Sequence, residues 1–158
     1  MKSVATPFPN PGEVLAGAQF ADSYVLQIRG PSLDAEAATR HVMGRTPGWI
    51  AGLMSLRNAL VKPLGLKAAP DKRLSDENSI GRFPLISRSP RRVVLGLDDR
   101  HLDFRILVDV ADLGDRTQSV TASTVVRTHN LPGRVYLAIV KPFHRVIVPA
   151  MLTRAATA

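Results

Sequence analysis

The stretch His101–Val110, HLDFRILVDV, decides the fold. Leu102, Phe104, Ile106, Val108 and Val110 alternate onto one face, and His101, Asp103, Arg105, Leu107 and Asp109 share the other. A period of two means an extended strand, with one fully apolar face for a core and one mixed face. The same period runs outward from it. Candidate strands cover 83–87, 91–97, 101–111 and 118–129, joined at Asp98-Asp99 and at Leu113-Gly114-Asp115. These connections are far too short for parallel crossovers, so the strands pair antiparallel.

Downstream of Pro132 and Gly133 the period becomes helical. Val135, Ile139, Val146 and Met151, broadened by Phe143 and Ile147, predict one long helix over 132–156. Pro142 and Pro149 lie seven residues apart, so they bend the helix on about one face and do not end it. Asn130 is placed to cap it.

Upstream, DSYVLQI at 22–28 predicts a strand, closed by Gly30 and Pro31. AEAATRHVM follows as a short helix ending at Gly44. A second short helix starts at Pro47-Gly48. In it Trp49, Leu53, Leu56, Leu60 and Leu64, with Ile50, Met54 and Val61, predict a broad buried face that ends near Pro63. Residues 67–81 predict a polar surface loop. Residues 1–21, with prolines at 7, 9 and 11, predict an irregular leader ahead of a single domain at 22–158.

The order is therefore strand, two short helices, antiparallel meander and long helix, an α+β chain whose sheet wraps against its last helix. A length of 158 residues suits one domain, and 45% apolar with 22% charged residues is a globular balance. No cysteine is present, which excludes disulfides, Cys-ligated metals and a thiol nucleophile.

The formal charge is +8, from 21 basic and 13 acidic residues. The basic residues are scattered, and aromatics are 5% of the chain, too few for a base-stacking platform. The expectation is weak, salt-sensitive association with polyanions and no specific nucleic-acid partner. The N-terminus lacks the apolar core of a secretion signal. Lys141, His144 and Arg145 interrupt the most apolar segment, so no transmembrane segment is expected and the cytoplasm is the expected location. No phosphate loop, dinucleotide fingerprint or HExxH spacing occurs, so neither cofactor nor metal is expected. Oligomeric state stays open.

Several pieces together resemble an uncharacterised bacterial family, domain-of-unknown-function family 2867. They are Trp49, Leu53-Met54, Arg57-Asn58, His101 to Arg105, Val126 to Asn130 and Pro142-Phe143-His144. The element order is similar to the helix-grip fold of the START-like and birch-pollen-allergen-like (SRPBCC) superfamily. That resemblance implies a cavity between curved sheet and C-terminal helix. It leaves the function open, because the superfamily holds lipid and hormone binders, cyclases, hydrolases and subunits without ligand.

Candidate residues follow. For a binder of a small hydrophobic molecule, Tyr136, Ile139, Val140 and Phe143 are the expected wall and Trp49 the helix–sheet seam, with Arg57, Arg105 and Arg127 as polar contacts. For a cyclase- or hydrolase-like enzyme, Asp103 would orient His101 or His129 as a base. In the third reading the chain is a structural or interaction subunit without ligand.

Overall fold

The computed structural model describes residues 2–43, 48, 52, 55, 56, 59, 62–64, 79, 80, 83–98 and 100–154. Seven strands form one antiparallel sheet: β1 Val4–Ala5, β2 Phe20–Arg29, β3 Ser79–Ile80, β4 Phe83–Arg88, β5 Arg92–Asp98, β6 Leu102–Gly114 and β7 Thr117–Thr128. Their spatial order is β1-β2-β7-β6-β5-β4-β3. The first and last long strands of the chain thus lie side by side, with β2 paired to β7 over its full ten residues. Short helices α1 Pro11–Val14 and α2 Ala35–Met43 precede the long C-terminal helix α3, Leu131–Thr153. This is the helix-grip arrangement.

The alternation read in HLDFRILVDV sets the layers. Even positions of β6 join Leu26, Ile28, Val93, Leu95, Val120 and Ala122 in the main core, closed by Ala35, Ala38 and Val42 of α2 and by Leu152 of α3. We call this the helix face. Odd positions face the other way, where Leu107, Val125 and Val94 pack against Phe8, Val14, Leu15 and Ala18 of the leader. The β6–β7 hairpin turns through Asp115 and Arg116, both at positive φ (51° and 59°), as a two-residue hairpin loop requires. Gln118 is buried and fully bonded. Its Oε1 accepts from Leu33 N at 2.9 Å, and its Nε2 donates to Leu33 O and Ser32 Oγ, tying the β2–α2 connection to the sheet.

α3 starts as its sequence predicts. Asn130 Oδ1 accepts from Gly133 N at 3.0 Å, and Pro132 sits where no backbone donor is needed. The helix runs through Pro142 and Pro149 without a break. By length and composition it could cross a membrane, but here it lies on β2, β7 and α2.

Several expectations need correction. The leader is not simply irregular: it holds β1 and α1 and supplies the first two residues of β2. It is ordered by pairing with β2 and by burying Leu15. The loop expected over 67–81 contributes Ser79 and Ile80 to a two-residue edge strand, and Ile80 is a buried core residue. Within the second predicted helix, Gly48, Gly52, Ser55, Leu56 and Ala59 are helical, and Lys62–Leu64 forms a 3₁₀ turn at Pro63. Leu56 is half exposed, so it does not belong to a buried stripe. Trp49 and Arg57 lie outside the described residues.

Candidate functional site

The expected catalytic and polar candidates fall on the leader face. His129 Nε2 lies 2.9 Å from Asp103 Oδ1, so the structure brings that pair together, at the exposed end of β6 and β7. His101 is turned aside. Asn130 Oδ1 accepts from Gly133 N, and His101 Nδ1 lies against the same side chain, 3.1 Å from Nδ2 and 3.3 Å from Oδ1. Arg105 is engaged by Asp98, with Nη1 2.7 Å from Oδ1. That bond holds the Asp98 carboxyl below its usual range. Arg127 is exposed and lies along the leader at Gly17. Asp103, Arg105 and Arg127 do not reach the seam between α3 and the sheet, because odd positions of β6 and β7 face away from it, and His101 meets the cap residue of α3, Asn130.

The seam holds a different cluster. Asp22 of β2 and Thr124 of β7 are direct cross-strand partners, and both point to the helix face. His144 of α3 bridges them. Its Nδ1 lies 2.8 Å from Asp22 Oδ2 and its Nε2 3.1 Å from Thr124 Oγ1. A carboxylate only accepts, so Nδ1–H donates to Asp22, and in the neutral ring Nε2 then accepts from the Thr124 hydroxyl. The His144 ring meets the Phe20 ring edge-on, with centroids 6.2 Å apart, and Lys141 Nζ lies 5.2 Å from the Phe20 centroid. Tyr24 is two residues from Asp22 on the same face. Burial first, and then the negative charge of Asp22, raises its phenol above 10.0, while Arg145 pulls the other way. Asp22 Oδ1 is buried without a hydrogen-bond partner among the described residues.

The expected wall residues Tyr136, Ile139, Val140 and Phe143 are all half-buried on α3. Val140 is one turn before His144 and so shares its stripe. Of the 23 residues of α3, only Gly133 and Leu152 are buried outright. A cavity of about 440 Å³ lies elsewhere, on the leader face, between residues 6–14 and a polar floor that includes Ser23, Thr121, Ser123, Arg92 and Asp109.

Sequence reasoning missed Asp22, Thr124 and His144 as a site. One signal was there: Asp22 is the lone acid on the strand face of Tyr24, Leu26 and Ile28, and His144 interrupts an apolar helix.

Residues 14–151 match the family described as "Protein of unknown function (DUF2867)". The chain belongs to that family. No curated protein matches it. Among solved structures, this DUF2867 chain is similar to a START superfamily protein from Mycobacterium smegmatis, at 12% identity and a TM-score of 0.46, covering 87% of this chain and 97% of that one. It is also similar to a conserved protein from Geobacillus kaustophilus, at 7% identity and 0.43, covering 87% and 93%. A norcoclaurine synthase point mutant from Thalictrum flavum gives 11% identity and 0.37, covering 97% of each chain.

Proposed function

We propose that this chain binds a small, mostly apolar molecule between α3 and the helix face of the sheet. The observation that carries the reading is the contrast within α3. Twenty-three residues, rich in Leu, Ile, Val and Phe, lie over the sheet, yet only two are buried outright. A helix whose sole task was to close a core would bury its whole inner stripe. Tyr136, Ile139, Val140 and Phe143 form the proposed wall, and Asp22, Thr124, His144 and Tyr24 supply the few convergent polar groups that orient a ligand.

The order carboxylate, imidazole, hydroxyl is also that of a nucleophilic relay. Thr124 sits in mid-strand, however, with β2 on one side and β6 on the other. Backbone N–H groups around it are committed to the two ladders and cannot stabilise an oxyanion. Binding is therefore favoured over turnover, and over catalysis by the outward-facing His129–Asp103 pair.

Native mass spectrometry of the purified protein, followed by a thermal-shift screen of lipids and aromatic compounds, tests the reading. A ligand selective for the folded state raises apparent stability, and Phe143→Trp should abolish that rise. No copurified mass, together with no shift from any apolar compound, would leave the chain as a structural or interaction subunit.

A further inference from the structure

The outer side of α3 carries a second pattern. Leu131, Val135 and Val146 are 68%, 36% and 52% exposed. With the exposed Ala138 and Pro142 they fall in one sector about 80° wide at 3.6 residues per turn. Arg134, Lys141 and Arg145 form a row along one flank of that sector, at i, i+7 and i+11. No Asp or Glu occurs between residues 131 and 153, in a chain of net charge +8. Lys141, with its Nζ over the Phe20 ring, sits on the edge of the row nearest the sheet.

We infer that this outer face of α3 docks on an anionic lipid bilayer, lying in the interface and not spanning it. Charge complementarity selects the occupant. An acid-free row of cations meets anionic headgroups, while the parallel apolar row enters the boundary between headgroups and acyl chains. Nucleic acid satisfies the cations but leaves Leu131, Val135 and Val146 against water. The helix is fixed to the sheet through His144, so it reaches the membrane as the rim of a folded domain, its long axis in the membrane plane. The inference concerns a sector of α3 next to the proposed wall, with Ile139 at their border, and draws on none of the wall residues.

Vesicle co-sedimentation tests it, using the whole chain with phosphatidylcholine vesicles and with vesicles containing about 40% phosphatidylglycerol. Wild type should sediment with the anionic vesicles at about 50 mM salt, stay in the supernatant with the neutral ones, and lose affinity at about 300 mM salt. Arg134→Ala with Arg145→Ala should lower the partition coefficient roughly thirtyfold, at about one headgroup attraction per cation. Val135→Asp and Val146→Asp should each release the protein without changing its circular dichroism. Equal partition to neutral vesicles, or none to anionic vesicles at low salt, overturns the inference. So does binding that ignores both aspartate substitutions and is matched by duplex DNA, since that behaviour belongs to a generic polyanion surface.

Discussion

His144→Ala probes a polar tie between the middle of α3 and the sheet. The substitution removes a bond to a carboxylate, for which about 1.5–3 kcal/mol is typical, and a neutral bond from Thr124 at about 1 kcal/mol. It also leaves Asp22, whose side chain is 18% exposed, without its Oδ2 partner, while Oδ1 already has none among the described residues. A fully buried charge stripped of its partner costs about 3–5 kcal/mol. Residual access to water reduces that, so the expected loss is about 3 kcal/mol. Asp22→Asn keeps the shape and removes the charge. A double-mutant cycle of the two substitutions, read from urea unfolding by circular dichroism at pH 7, should give a coupling of about 1.5–2.5 kcal/mol. Exposed ion pairs couple by about 0.2–1 kcal/mol. A coupling below about 0.5 kcal/mol would refute the reasoning, because His144 would then be resting on the sheet without anchoring α3.

Two further outcomes follow from single atoms. A Cβ at Gly133 would collide with the carbonyl oxygen of His101; the gain of about 1 kcal/mol from replacing helical Gly by Ala is outweighed by overpacking of about 1–3 kcal/mol, so Gly133→Ala should lower the urea midpoint, and an unchanged or higher midpoint contradicts the contact. Tyr24 is one of two tyrosines, so absorbance titration of Tyr136→Phe isolates it. Its folded-state pKa is raised, so its contribution to stability is complete below about pH 10 and is lost as pH rises further. A midpoint at or below 10 would show that neither burial nor Asp22 acts on it.

The architecture was legible where a period repeats over many residues. β6 was visible from five alternating apolar side chains, and α3 from a helical stripe that survives two prolines. The Asn130 cap was legible because it is a local bond over three residues. β1 and β3 were not, since two residues carry no period and become strands only by pairing with β2 and β4. The site was the least legible. Asp22 and His144 are 122 positions apart. Meanwhile the HLDFR run drew notice by its composition, though Asp103 and Arg105 face away from α3 and His101 meets its cap, Asn130. Strand parity alone separates the two cases. Phe104 and Ile106 were already assigned to the core, and that assignment sends Asp103 and Arg105 outward.

α3 is pinned unevenly, and the pattern bears on the proposed binding. At its start Asn130 caps it and Gly133 lies against His101. In the middle His144 bonds to both β2 and β7. Near its end Val148, Met151 and Leu152 join the main core. Between the first pin and His144 lie Tyr136, Ile139, Val140 and Phe143, all half-buried. Stability concentrates where apolar contacts are dense and thins where they are few, so the span from 134 to 143 should open at lower free energy than either end. On the proposed reading a ligand enters there. Covering about 200 Å² of apolar surface would contribute roughly 5 kcal/mol before the costs of association. That gain falls on the least secured part of α3, so bound ligand should slow amide exchange most across residues 134–143. If exchange slows instead around Val148–Leu152, the ligand is being held at the packed end, and the wall residues proposed here are the wrong ones.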